Sequence, residues 1–113
     1  MVNKMKKKIN VMSKWKEFNP LSDHSMKDDF RKVPSPFNQK ITTYLKNGEL
    51  VLASPSVVYD VFSGEKITQT NCILTDGEFS WTNSLEYYVQ KYNLQIPKEL
   101  EDKILNRRNA KNI

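Results

Sequence analysis

Residues 75–92, TDGEFSWTNSLEYYVQKY, decide the fold, because they contain a turn, a strand and an amphipathic helix in that order. Asp76-Gly77 is a strong hairpin signal, since both central positions of a type I′ turn need a positive φ. A short strand is predicted at 78–81, and a helix at about 83–92. The apolar face of this helix is formed by Leu85, Tyr88, Val89 and Tyr92.

Further elements are predicted on both sides of this segment. Strands are expected at 49–54, 57–62 and 67–74, which are short runs bounded by turn residues. Amphipathic helices are expected at about 36–46 and 97–106. Because strands joined by hairpins are antiparallel, the sequence predicts an α+β fold. It would be a small antiparallel four-stranded sheet, a meander, covered on one face by two or three helices.

Basic residues are concentrated at the two ends of the chain. Residues 1–16 hold six lysines and no acid, and residues 103–113 hold four basic residues and no acid. Between them, residues 17–102 hold 8 basic and 13 acidic side chains, a net charge of −5. The predicted organisation is therefore a basic flexible N-terminal tail at 1–14, a single α+β domain at 15–106 and a basic C-terminal tail at 107–113.

Motifs of catalysis and metal binding are lacking. His24 is the single histidine, and we expect an exposed loop residue, because Ser22 and Ser25 beside it do not make a triad. Cys72 is the single cysteine, so an internal disulfide and a cysteine zinc site are excluded, and a buried thiol in a reduced cytoplasm is expected. The sequence therefore predicts a protein that is not an enzyme and has no cofactor and no metal site.

The longest apolar run of the chain spans only a few residues, too short for a helix that crosses a bilayer. The basic start is not followed by the apolar stretch of a secretory signal. We therefore expect a cytoplasmic protein with no membrane partner.

Aromatic and acidic residues are the remaining unusual group. Tyr and Trp are over-represented among interface hot spots, and acidic groups speed encounter with a basic partner. Some rings, such as Trp81, Tyr88 and Tyr92, are expected to pack in the core instead. The predicted partner-binding residues are Tyr59, Asp60, Asp76, Glu78, Glu86 and Tyr87.

Several short motifs are spread over residues 50–99. They are Ala53-Ser54-Pro55, Val58-Tyr59-Asp60, Thr75-Asp76-Gly77-Glu78, Trp81, Tyr87-Tyr88 and Ile96-Pro97 with Glu99. This pattern resembles small cytoplasmic bacterial immunity proteins from toxin–immunity loci, of the contact-dependent or polymorphic toxin kind. The resemblance implies an antitoxin-type inhibitor that binds a cognate toxin domain and occludes it, with no catalytic residues to carry over. The overall positive charge departs from the acidic character expected of an inhibitor of basic nucleases.

Two other functions remain open at this point. A nucleic-acid-associated accessory protein could use its basic termini, with Lys4, Lys6, Lys7 and Lys8 contacting phosphates. A small enzyme of an unfamiliar kind would show a polar pocket in the structure. The preferred prediction is the toxin inhibitor, whose acidic and aromatic surface would cover the toxin.

Overall fold

The computed structural model describes residues 8–108. In the described chain, one strand and two short 3-10 helices precede the first α-helix, five strands follow it, and two α-helices come last. In chain order they are β1 (Ile9–Asn10), the 3-10 helices Val11–Lys14 and Met26–Asp29, α1 (Asn38–Lys46), β2 (Glu49–Ser54), β3 (Val58–Tyr59), β4 (Lys66–Thr68), β5 (Asn71–Thr75), β6 (Phe79–Thr82), α2 (Ser84–Tyr92) and α3 (Lys98–Ile104).

The main sheet has four strands in the order β1-β6-β5-β2. The β2–β5 and β5–β6 pairs are antiparallel, whereas β1 runs parallel to β6. Strands β3 and β4 form a separate two-stranded sheet. The predicted α+β class is thus confirmed, but the predicted antiparallel meander is wrong because the sheet is mixed.

The N-terminal segment supplies the parallel strand. The backbone N–H of Ile9 donates to the carbonyl of Glu78 at 2.8 Å, and the next residues, Val11 and Met12, are buried in the core. The packed domain therefore includes residues that were assigned to a flexible tail at 1–14. The reason is that a few apolar side chains among the lysines are enough to add one short strand and fill the core. The rest of that tail, 1–7, lies outside the described residues.

The predicted second strand leaves the main sheet. Strand β2 pairs directly with β5, from Leu50 opposite Leu74 to Ser54 opposite Asn71. The chain between them, residues 55–70, turns away from the end of this ladder and contains the β3–β4 hairpin. We call residues 55–70 the finger. Pro55 at its start has no N–H to continue the ladder, and the finger packs against α2 instead.

Trp81 anchors the sheet to α1. Its indole N–H donates to the Leu45 carbonyl at 3.1 Å, and both side chains are buried. The chain approaches this ring so closely that a Cβ on Gly48 would lie 2.8 Å from Trp81 Cζ2. Glycine is therefore required here by the close approach of the backbone to the ring.

The helices follow the sequence prediction with shorter ends. Helix α1 begins at Asn38 rather than at residue 36, and α3 spans 98–104 rather than 97–106. Helix α2 ends as expected, because Asn93 adopts the left-handed conformation with φ 57°. None of the helices within residues 8–108 has the length and apolar character needed to cross a membrane.

The packing of the N-terminal segment makes a direct prediction. Met12 is 3% exposed, so replacing it with alanine should lower the free energy of unfolding by about 2–4 kcal/mol through lost burial and a cavity. Leu21 is 91% exposed, and Leu21→Ala should change the same quantity by less than about 0.5 kcal/mol. Urea denaturation of both variants measures the difference. Equal stabilities would contradict the placement of Met12 in the core.

Candidate protein-binding surface

The finger presents an outer face of exposed residues. Val57, Tyr59 and Val61 are 43%, 55% and 49% exposed, whereas the alternate residues Asp60 and Phe62 are buried and half-buried. The chain is extended only at Val58–Tyr59 and turns at 61–63, where the turn leaves Val61 exposed and brings Phe62 inward. The finger therefore has an inner side that packs on the domain and an outer face, formed by Val57, Tyr59 and Val61, that meets solvent.

Asp60 joins the finger to helix α2. Its side chain is fully buried. One carboxylate oxygen, Oδ2, accepts hydrogen bonds from the hydroxyls of Tyr87 at 2.7 Å and Tyr92 at 2.6 Å. The other, Oδ1, accepts from the backbone N–H groups of Phe62 at 2.7 Å and Ser63 at 3.1 Å. Four donors thus converge on one carboxylate and tie the turn of the finger to the helix.

The hydrogen bonds keep Asp60 ionised. Burial alone would raise the pKa of Asp60, but the donors, Tyr92 foremost, outweigh burial and hold this pKa well below its ordinary value. Lys91 adds a positive charge, with Nζ 3.8 Å from Oδ2 of Asp60 and 2.8 Å from Oε1 of Glu65. A buried carboxylate with this many donors is a structural group, because its acceptor sites are in use.

Tyr88, between these tyrosines, extends the contact. Its hydroxyl accepts the backbone N–H of Val61 at 3.0 Å, and burial raises the pKa of Tyr88 to about 12. The ring of Phe62 packs edge-on against Phe30, Tyr88 and Tyr92, with centroids 5.3, 6.0 and 5.8 Å away. The inner side of the finger is therefore held by both hydrogen bonds and aromatic packing.

Asp76 holds the turn between β5 and β6. Its Oδ1 accepts the N–H groups of Glu78 at 2.9 Å and Phe79 at 2.8 Å, and its Oδ2 accepts the hydroxyl of Tyr44 at 2.6 Å. Burial raises the pKa of Asp76, but these hydrogen bonds outweigh it and bring the pKa to about 2. Gly77 has a positive φ of 100° and Asp76 does not. The predicted type I′ turn is therefore wrong, because the carboxylate itself closes the turn.

Two basic residues neutralise the acids of this turn. Lys103 Nζ lies 3.0 Å from Asp76 and 3.1 Å from Glu78. Both terminal nitrogens of Arg108 donate to the Glu78 carboxylate, at 3.0 and 2.7 Å, and the hydrogen bond from Arg108 is the main cause that lowers the pKa of Glu78. Arg108, assigned by sequence to a basic C-terminal tail at 107–113, thus lies on the domain. Residues 109–113 lie outside the described part.

Glu86 stands apart from both clusters. Its carboxylate lies 3.6 Å from Lys46 Nζ and accepts a hydrogen bond from Gln90 at 3.0 Å. Of the predicted contact residues, the structure brings Tyr87 together with Asp60 beneath the finger, and it leaves Tyr59 exposed beside them. The predicted acidic contacts are bonded within the domain, Asp60 to tyrosines and Asp76, Glu78 and Glu86 to cationic side chains.

The charge of the described domain is close to neutral. Residues 8–108 carry 14 basic and 13 acidic side chains. The acidic body expected from residues 17–102 is balanced by lysines and arginines at its two ends, which fold back onto it. Attraction of a basic partner by net charge is therefore weak, and shape and apolar contact must carry recognition.

Other polar sites lie elsewhere on the domain. A groove of about 920 Å³ lies between α1 and the β5–β6 turn, but Tyr44 and Asp76 in it are already bonded to each other. His24 is exposed, as expected, with Nε2 3.0 Å from Oδ2 of Asp29. Cys72 is half-buried rather than buried. Within residues 8–108, no three His, Cys, Asp or Glu side chains lie close enough together to hold a metal ion.

The outward positions of Val57 and Val61 were not predicted from the sequence. Tyr92 packs against the core as expected, but its hydrogen bond to Asp60 was not predicted. Both valines were expected to lie in a central strand, where alternate residues face a core. The motif 57–62, VVYDVF, contained one indication of this arrangement. An aspartate within an apolar run becomes buried, and a buried aspartate needs hydrogen-bond donors around it. Tyr87 and Tyr92 of α2 are two of those donors.

Comparison of the chain with protein-family models, with curated proteins and with solved structures gives no match. Function is therefore inferred from the geometry of the finger and from the motif resemblance.

The buried carboxylate predicts a large effect of Asp60→Asn. An asparagine has one oxygen acceptor in place of two, so donors on one side lose their partner, and the free energy of unfolding should fall by about 2–4 kcal/mol. Asp23→Asn is the matched control, because Asp23 is exposed and its change should stay within about 0.5 kcal/mol. Thermal and urea unfolding measure both. An Asp60→Asn variant as stable as the control would show that the carboxylate does not hold the finger.

Proposed function

We propose that this protein is an immunity or antitoxin-type inhibitor that acts in the bacterial cytoplasm by binding a cognate toxin domain and occluding it. The observation that carries the proposal is the finger, whose exposed outer face of Val57, Tyr59 and Val61 is fixed from behind by the buried carboxylate of Asp60. The finger also contains Val58-Tyr59-Asp60, one of the motifs on which the resemblance to immunity proteins is based.

The outer face has the features of a protein-binding surface. It groups two aliphatic side chains with a tyrosine, the residue type that is enriched at interface hot spots. Two charged residues, Glu65 and Lys66, are exposed on the same hairpin and supply a polar rim around the apolar centre. An apolar centre with a polar rim fits a contact that excludes water when a partner docks.

The buried hydrogen bonds favour tight binding. Docking a mobile loop would require that loop to lose conformational entropy, which weakens affinity. Here Asp60, Tyr87 and Tyr92 already hold the turn in one conformation. In this proposal Asp60 and Tyr87 are therefore positioning residues, and Tyr59 is the contact residue among the predicted set.

The other predicted contacts have a smaller part in this proposal. Asp76, Glu78 and Glu86 are paired with cationic side chains of the same chain, so a partner would have to displace those cations to use them. Occlusion itself needs no bond made or broken in the inhibitor. The mechanism is therefore a rigid apolar projection placed over the toxin surface.

Binding of nucleic acid finds less support. Lys103 and Arg108, at the basic C-terminal end of the described chain, are paired with acids. Of the lysines on which that alternative is based, Lys4, Lys6 and Lys7 lie outside the described residues, and Lys8 is exposed. The second function is therefore not part of the proposal.

The test is binding to the toxin domain encoded by the neighbouring gene, measured by calorimetry together with inhibition of that domain. The wild-type protein should bind and inhibit. Tyr59→Ala should weaken binding roughly 30-fold or more, as truncation of a hot-spot tyrosine does.

Val61→Ala and Val33→Ala form a matched pair for the same assay. Val33 is also exposed, at 68%, but it lies outside the finger, so only Val61→Ala should weaken the complex. Absence of any complex at micromolar concentration would refute the proposed function. A complex that both finger variants leave unchanged would show that the toxin binds elsewhere.

A further inference from the structure

Strand β2 forms an exposed edge of the main sheet. It is the last strand in the order β1-β6-β5-β2, so among residues 8–108 one side of its backbone has no neighbouring strand. Leu50, Val51 and Leu52 are 57%, 56% and 56% exposed. Three large aliphatic residues in a row at a sheet edge are unusual, because such an edge can pair with another chain.

The sequence of β2 is typical of a central strand. Central strands read as continuous apolar runs because both of their faces are covered. Natural edges are commonly protected by charges, by proline or by bulges. Here Glu49 and Pro55 flank the run and the register shifts around Val51, but no charge lies within residues 50–54.

Both faces of the edge are apolar. Residues directly opposite each other in an antiparallel pair point to the same face. Leu50 lies opposite Leu74, which lies opposite the buried Trp81. On the other face, Leu52 lies opposite Ile73. A strand added next to β2 would therefore cover apolar side chains above and below the sheet.

We propose that β2 pairs with β2 of a second copy of this chain, antiparallel about a two-fold axis. This arrangement brings the Glu49 end of each strand to the Ser54 end of the other, so the two carboxylates stay apart and the uncharged runs meet. The runs from Leu50 to Ser54 carry no charge, so two copies meet there without like-charge repulsion across the strands. The result is a closed dimer with one continuous eight-stranded sheet.

The size of the contact sets its strength. A standard stable interface buries about 800 Å² on each partner, and a pair of six-residue strands provides less than that. The dimer is therefore reversible, with a dissociation constant in the micromolar range. The inference does not depend on toxin binding, because the finger turns away from the end of β2.

Sedimentation velocity of the full chain, from low-micromolar to near-millimolar concentration, tests the proposal. The wild-type protein should shift reversibly from monomer to dimer. Leu52→Lys should weaken dimerisation roughly 10- to 100-fold, because each copy would bring a charge into the apolar contact. Leu21→Lys, the same substitution at a residue that is 91% exposed, should leave it unchanged.

A second measurement keeps the test decisive if Leu52→Lys does not fold. Amide hydrogen exchange of the wild-type protein should slow within residues 50–54 as the concentration rises, while exchange in the finger stays constant. A monomer at every concentration would overturn the proposal. So would assemblies larger than a dimer, a dimer that a folded Leu52→Lys variant retains, or exchange in β2 that does not depend on concentration.

Discussion

A buried, ionised aspartate determines where the finger lies on the domain. Asp60 loses its hydration in the fold, and a charge without water needs hydrogen-bond donors around it. Two tyrosine hydroxyls of α2 and two backbone N–H groups of the finger supply them. These donors exist together only when the finger lies against α2. The carboxylate therefore holds residues 55–70 against α2, and these residues do not join the main sheet as a strand.

The same interaction decides which residues remain for recognition. With Asp60 turned inward, its neighbours Tyr59 and Val61 point outward and stay exposed. The acids that looked available for a basic partner are instead used to hold turns and the chain ends, as in the pairing of Glu78 with Arg108. The domain is thus nearly neutral, and its distinctive surfaces are apolar: the outer face of the finger and the edge of β2.

Local signals in the sequence predicted the local structure well. The α+β class, the three helices and strand β2 were found because each is encoded within a short window by apolar periodicity and breakers. Strand β1 was missed because two residues among lysines carry no periodic signal, and it forms only by pairing with the distant β6. The finger was mistaken for a sheet strand because its departure depends on Asp60 finding Tyr87 and Tyr92, residues far along the chain. The exposed outer face follows from that same contact, so it could not be predicted locally.

Amide hydrogen exchange in the finger shows directly whether Asp60 holds the finger against α2. The N–H groups of Phe62 and Ser63 donate to Asp60, and that of Val61 donates to Tyr88. We predict that all three exchange slowly in the wild-type protein and quickly in Asp60→Asn, while amides within α2 remain protected in both proteins. If these three amides exchange in the wild-type protein as fast as those of an unstructured loop, the finger is not held by Asp60 and the account is wrong.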